Sequence, residues 1–298
     1  MSNQNNLTII LVTFYSEKII QQALQSLTHL PYQIVVVDNS SKDRTVDIVK
    51  NNFPQIDLII SPYNIGYGRA NNLALKKINT NYALLLNPDA HISSDDIAIC
   101  LQIMQNNHNI AIAGPIVYNA KMQNNNLVDN GICLKKNKKS SKQVNENYLL
   151  NQFITGAGMF FNMSIMRKIG FFDEGFFLYC EDNEICKRVI KKGYHTALIK
   201  NTKILHLGSK SSDISLAEIE KTYWHRFGWS KLYYTEKIWG KTIAKLRAIR
   251  MLTKFSLLCL KQYLFTKTIS KQNSQALKGT FAYFCGSKAF DNQQHPFG

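Results

Sequence analysis

The sequence is short of acids, of closely spaced cysteines and of long apolar runs, and each shortage closes off a class of protein. Only 20 Asp and Glu stand against 36 Lys and Arg, a formal charge of +16. Such a balance calls for an anionic partner or surface: nucleotide phosphates, nucleic acid or acidic lipid headgroups. The six cysteines, Cys100, Cys133, Cys180, Cys186, Cys259 and Cys285, include no C-x-x-C pair. Reduced thiols are therefore expected, not a disulfide frame or a sulfur-ligated zinc site. The opening MSNQNNLTII has no basic stretch leading into an apolar core, so no secretory signal is expected and the chain is assigned to the cytoplasm. Between Trp239 and Phe265 the longest uncharged run is Phe255 to Leu260, far below the roughly 20 residues that span a bilayer. There is no internal repeat.

What is present fits a folded globule. The chain has 298 residues, 45% of them apolar, enough for one large domain with an appendage or for two modest ones. Leu7 to Val12 is a continuous β-rich apolar run, the pattern of a strand covered on both faces. Ser16-Glu17 opens a helix carrying Ile20, Leu24 and Leu27. Gln33 to Val37 is a second strand, followed by a helix with Val46, Val49 and Phe53 inward, and Leu58 to Ile60 is a third. After the turn-rich SPYNIGYG comes a helix with Ala70, Leu73, Ala74 and Ile78, then the strand Tyr82 to Leu86. This alternation predicts a parallel, right-handed βαβ sheet with its ligand beyond the carboxyl ends of the strands. Further on, Asp95 to Met104 reads as a helix, Ile110 to Ala113 as a short strand, Asn119 to Asn147 as a loop or hairpin, and Phe153 to Asn162 as a return to the sheet. A boundary is expected near Lys210 to Leu216, dividing residues 1–212 from a basic helical extension at 213–298.

The strand ends deliver polar residues to one place. Phe14 and Tyr15 offer ring faces to a base, and Asp38, with Asn39 after it, offers a carboxylate to the imide N–H of a pyrimidine. Gly66 and Gly68 permit backbone approach, and Arg69 and the helix N-terminus beside it are available to phosphate oxygens. Asp89, after Asn87-Pro88, is placed to hold a hard cation such as Mg²⁺ or Mn²⁺ whose shell is completed by substrate phosphates. His206 is a candidate further ligand to the metal or contact to the phosphates. The most informative stretch sets Glu181-Asp182 at the start of an amphipathic helix. Ile185, Cys186, Val189 and Ile190 form its apolar face, Lys187, Arg188, Lys191 and Lys192 face water, and Gly193 ends it. A helix N-terminus favours ionised carboxylates, while Phe171, Phe172, Phe176, Phe177 and Tyr179 dry the surroundings. That combination suits a general base.

In order, VTFYS, VVVDNSS, NIGYGRANN, LLLNPDA, TGAGMFF, IGFFDEGFFLYCEDNEICKR and ILHLGSKSS resemble inverting glycosyltransferase family 2, especially its rhamnosyltransferase-like bacterial branch, over about residues 7 to 212. The resemblance implies a GT-A fold, a nucleotide-sugar donor carried on dTDP or UDP, and a divalent metal. It puts Thr13, Phe14, Asp38 and Asn39 on the nucleotide, with Tyr15, Asn64, Gly66, Arg69 and Asn87 completing the donor site. Asp89 falls on the metal-binding acid, His206 on an additional metal or diphosphate ligand, and Asp182 on the catalytic base, with Glu181 beside it. Tyr15 stands where the family commonly has Asn, and Asn87-Pro88-Asp89 replaces a fuller Asp-x-Asp. The first donor expected is dTDP-L-rhamnose, with UDP-hexose or UDP-galactofuranose as alternatives. A glycan or polyprenyl-diphosphate-linked acceptor is implied, in capsule or O-antigen assembly.

From Lys231 to Lys271 ten basic residues accompany one acid, Glu236. A basic amphipathic segment of this kind suits an anionic membrane surface, which places the chain peripherally at the inner face of the cytoplasmic membrane; nucleic acid is not the favoured partner. A sugar nucleotidyltransferase would carry a glycine-rich basic loop after the first strand, and Thr13-Phe14-Tyr15-Ser16 has no glycine. A catalytically inactive membrane or nucleic-acid adaptor is opposed by the joint presence of Asp38, Asp89 and Asp182.

Overall fold

The computed structural model describes residues 6–119, 141–143, 146–151, 153–207 and 223–290. Its centre is a ten-stranded mixed sheet formed by β1 (Leu7–Thr13), β2 (Gln33–Asp38), β3 (Asp57–Ile60), β4 (Tyr82–Leu86), β5 (Ala90–Ile92), β6 (Ile110–Asn119), β7 (Ser141–Gln143), β8 (Tyr148–Asn151), β9 (Gly158–Asn162) and β10 (His195–His206). The strand order is β3-β2-β1-β4-β9-β6-β10-β8-β7, with β5 pairing β10 off this path. The expected parallel unit is β3-β2-β1-β4, with Thr13 level with Asp38 and Leu11 level with Leu86. Its crossovers are α1 (Ile20–Gln25), α2 (Thr45–Asn52) and α3 (Tyr67–Leu75).

Beyond β4 the sheet is no longer purely parallel. β9 runs antiparallel to both β4 and β6, a reversal that strand periodicity does not encode. α4 (Ser94–Asn106) is capped by the Ser93 hydroxyl, which accepts from the Asp96 N–H. α5 (Met163–Ile169) follows β9, and α6 (Glu181–Lys191) precedes β10. Two hydrophobic layers cover the sheet. Leu7, Ile9 and Leu11 join one and Ile10 the other, which is why β1 is apolar at consecutive positions.

Several boundaries differ from the sequence reading. α1 begins at Ile20 because the Ser16 carbonyl first accepts from both the Ile19 and Ile20 N–H groups in a tight turn. The strand opening at Ile110 runs on to Asn119 against β10, and only Gly158–Asn162 of the Phe153 to Asn162 stretch is strand. Of the loop or hairpin from Asn119 to Asn147, residues 120–140 and 144–145 lie outside the described residues, while Ser141–Gln143 pairs antiparallel with β8. The boundary at Lys210 to Leu216 also lies outside them. Cys180 is disulfide-bonded, against the expectation of reduced thiols. Cys100, Cys186, Cys259 and Cys285 are free.

The C-terminal helices are α7 (Ser230–Trp239), entered through a π-helical turn at Trp224–Trp229, then α8 (Lys241–Thr266) and α9 (Lys271–Phe284). They pack on the 173–178 loop. Phe176 meets Tyr233 edge-on at 4.7 Å, Phe177 lies 4.7 Å from the His225 ring, and the Ser230 hydroxyl donates to the Leu178 carbonyl at 2.8 Å. Lys237 Nζ reaches Asp173 Oδ2 at 2.6 Å. Burial acts to raise the Asp173 carboxyl, but Lys237, the Gly175 N–H and the Tyr233 hydroxyl outweigh it and hold it below its ordinary value.

Candidate active site

The carboxyl ends of β1 and β2 are tied together before any ligand arrives. The Thr13 hydroxyl donates to Asp38 Oδ1 at 2.9 Å, and the Ser41 N–H to Asp38 Oδ2 at 2.9 Å. Asn39 donates through Nδ2 to Asn64 Oδ1 at 2.7 Å and accepts the Ile65 N–H at 2.9 Å. Thr13 and Asp38 are completely buried. Asp38 is thus held by Thr13 and fixes the Ser41 turn. Phe14 and Tyr15 are half-buried and meet edge-to-face at 4.6 Å. Tyr15 has φ +52°, and its N–H is held by the Ser41 hydroxyl. The two rings are the partly exposed groups at this end of β1.

Gly66 is a glycine for a reason the sequence did not reveal. It caps α3 with φ +83°, and a Cβ built on it would lie 2.0 Å from the Phe177 carbonyl oxygen. That carbonyl accepts the Tyr67 N–H at 3.2 Å, so the first donor of α3 faces the 171–180 loop and not a free phosphate site. Gly66→Ala combines a left-handed backbone with an immovable backbone clash and is expected to cost at least about 2 kcal/mol, read by urea denaturation; a loss of a few tenths would overturn this account. Arg69, expected on the phosphates, holds its guanidinium 4.4 Å over the Phe290 ring. It lines a cavity of about 790 Å³ at the seam with the C-terminal helices, with Lys241 and Lys245 on the facing wall.

Asp89 and His206 do come together. β5 pairs antiparallel with β10 so that His206 sits opposite Ala90, and the Leu207 N–H donates to the Asp89 carbonyl. His206 Nε2 is 3.2 Å from Asp89 Oδ1 and 3.3 Å from Asn87 Nδ2. Both Asp89 carboxylate oxygens are buried and neither accepts a well-aligned hydrogen bond, Oδ1 having the His206 ring in ion-pair range. Leaving a buried carboxylate unsatisfied is costly, and a divalent cation satisfies it. The donor set of one carboxylate and one imidazole fits a metal whose remaining positions belong to phosphate oxygens and water. Among the described residues there is no cluster of three or more His, Cys, Asp and Glu.

Glu181 and Asp182 are the first two residues of α6, as expected, and Gly193, with φ +84°, follows its C-cap. Tyr179 and Cys180, immediately before them, both have positive φ, near +70°, a strain of about 1–3 kcal/mol each that the surrounding packing must hold. The two acids differ sharply. Glu181 is buried against Gly68 of α3 with Oε2 unpartnered; burial, and after it the neighbouring Asp182, hold its carboxyl well above the usual range. Asp182 is half-buried, and its Oδ1 accepts the Asn183 N–H at 2.8 Å.

Tyr67 connects the halves of the site. Its hydroxyl donates to the Gly156 carbonyl at 2.6 Å and is pushed up by burial, then by Glu181 and Asp182. Next to Gly156, the Ala157 carbonyl accepts the Asn87 N–H. Arg188 was placed among the water-facing bases, but it turns inward. It grips Glu184 through both carboxylate oxygens at 2.9 and 3.0 Å and donates to the carbonyls of Ile169, Gly170 and Phe171. Arg226 was not singled out at all. Its guanidinium lies 5.4 Å from the Tyr179 ring, with Nε buried and unpartnered; the aromatic-basic cluster WHRFGW was the signal available.

Comparison with known proteins adds four likenesses. The family model "Glycosyl transferase family 2" matches residues 8–170. The low-salt glycan biosynthesis hexosyltransferase Agl10 of Haloferax volcanii is 26% identical over 210 residues, covering 68% of this chain and 67% of that protein. An N-acetylglucosaminyl-diphospho-decaprenol L-rhamnosyltransferase of Mycobacterium tuberculosis is 22% identical over 231 residues, covering 67% and 75% respectively. The solved mannosyltransferase PcManGT from Pyrobaculum calidifontis, in complex with GDP-Man and Mn²⁺, superposes with a TM-score of 0.55 at 14% identity, over 94% of this chain and 87% of that one. It shares the fold.

Proposed function

Because this chain belongs to glycosyl transferase family 2 and is a glycosyltransferase of GT-A fold, we propose that it moves one sugar from a nucleotide diphosphate to an acceptor hydroxyl with inversion. L-rhamnose from dTDP is the first donor to test, with UDP-hexose and UDP-galactofuranose as alternatives. The acceptor is a cell-envelope glycan or a polyprenyl-diphosphate-linked oligosaccharide, a class supported by the lipid-linked acceptor in the name of the mycobacterial relative. The observation that carries the reading is the Asp89 carboxylate, buried at the carboxyl end of the sheet with neither oxygen accepting a well-aligned hydrogen bond and Oδ1 3.2 Å from His206 Nε2.

Phe14 and Tyr15 bind the base, while Thr13, Asp38, Asn39 and Asn64 hold the turns around it. Asp89 and His206 would hold Mg²⁺ or Mn²⁺, which when bound would supply neutralising charge for the departing diphosphate. Asp182 accepts the proton of the acceptor hydroxyl as that oxygen bonds to the anomeric carbon from the face opposite the diphosphate. The old glycosidic C–O bond breaks, and its electron pair leaves with the nucleotide diphosphate. Glu181, buried beside Asp182 with its carboxyl held well above the usual range by burial and by that neighbouring acid, takes no part in the transfer.

Purified protein given a panel of nucleotide sugars with and without Mn²⁺ is expected to release nucleotide diphosphate from one donor in a metal-dependent way. Asp89→Asn should weaken Mn²⁺ binding, read by titration calorimetry in the presence of nucleotide diphosphate, by about 10- to 100-fold. Unchanged Mn²⁺ affinity would remove Asp89 from the metal site, and failure to bind any nucleotide diphosphate would overturn the donor reading.

A further inference from the structure

The longest helix among the described residues, α8, has two apolar faces. Ala244, Ala248, Phe255 and Cys259 are buried against the neighbouring helices. Ile243, Leu246, Ile249, Leu257, Leu260 and Leu264 are exposed. At 3.6 residues per turn these six fall within an arc of about 120°, nearly opposite the buried positions. The arc continues into Phe265, whose side chain is 79% exposed at the α8–α9 turn. Soluble surfaces seldom carry so long an apolar stripe without a partner.

Charge decides what the partner is. Residues 237–290 contain eleven Lys and Arg and not one Asp or Glu. Arg250, Lys254 and Lys261 fall at or just beyond one edge of the stripe, and Lys245 lies beyond the other. A second copy of the chain would set this charge against itself, and a nucleic acid would have no use for exposed leucines between the bases. No helix of the described residues is long and apolar enough to cross a membrane, so a lipid surface would be met from the side. We propose that the outer face of α8, with Phe265 at its end, docks flat on an anionic lipid surface, the leucines entering the acyl boundary and the flanking bases meeting the headgroups. The opposite face of α8 stays joined through α7 to the 173–178 loop, so docking would turn the catalytic domain toward acceptors held at that surface. The proposal rests on the faces of α8 and is independent of the donor assignment.

The test is co-sedimentation of the full chain with phosphatidylcholine vesicles, with and without phosphatidylglycerol, beside a Leu257→Ser/Leu260→Ser/Leu264→Ser variant and an Arg250→Glu/Lys254→Glu/Lys261→Glu variant. Binding to the anionic vesicles is expected to exceed that to neutral ones by at least about tenfold, and each variant is expected to lose at least about tenfold. Circular dichroism and nucleotide-diphosphate binding of both variants should match the parent, which separates a lost surface from a lost fold. Equal binding to both vesicle types, full retention by the serine variant, or a parent dimer in sedimentation velocity that the serine variant abolishes would each overturn the proposal. So would duplex DNA binding tighter than vesicle binding at the same salt.

Discussion

Asp182→Asn is expected to leave the fold and donor binding intact and to lower sugar transfer by about 100- to 10,000-fold, the usual worth of a positioned general base. Glu181→Gln is expected to keep most of the rate. The contrast follows from burial, since the two carboxyls are adjacent in sequence. Glu181 is 5% exposed, with its carboxyl raised well above the usual range, so the native state holds a proton there that the unfolded chain releases. Bound protons in excess in the native state mean that stability falls as pH rises from the ordinary glutamate pKa toward the raised one. Glutamine mimics the protonated form and removes this dependence. The variant should therefore gain stability relative to the parent over that window and none below it, as measured by denaturation at a series of pH values. Near-parent turnover by Asp182→Asn would refute the base assignment. Equal losses in the two variants would mean that the pair shares one proton and acts as a unit.

Arg188→Ala carries the largest expected effect on stability, about 3–5 kcal/mol. The substitution strips both charge-assisted bonds from Glu184, which is 4% exposed, and removes the donor to three loop carbonyls. An unpaired buried carboxylate is worse than none, so Glu184→Gln added to Arg188→Ala should restore part of the loss. The loop that Arg188 grips leads to the strained Tyr179-Cys180 step and then to Asp182. Asn72 holds it from the other side, donating to the Phe172 carbonyl at 2.9 Å and accepting the Phe172 N–H at 3.1 Å. Turnover should therefore fall together with stability, even in the fraction of Arg188→Ala that remains folded. A cost below about 1 kcal/mol by thermal or urea denaturation would show that the loop is held by its aromatic packing and not by the clamp.

The amino-acid sequence by itself determined the βαβ half of the sheet, the helix that carries the two acids and the excess of positive charge in the C-terminal third. These are set by local periodicity and composition, which depend only on near neighbours along the chain. Arg188 was placed facing water and in fact turns inward onto Glu184, because facing depends on which side of α6 the 169–171 carbonyls approach. Tertiary structure alone decided that His206 meets Asp89, through the antiparallel register of β5 on β10. It decided that Gly66 makes room for the Phe177 carbonyl, that Arg69 belongs to the seam with Phe290, and that α8 keeps one of its two apolar faces uncovered. Each of these is a contact, or a missing contact, between segments far apart in the chain. The energy of such a pairing depends on register, burial and direction in space, and none of the three is written in the spacing of residues along the sequence.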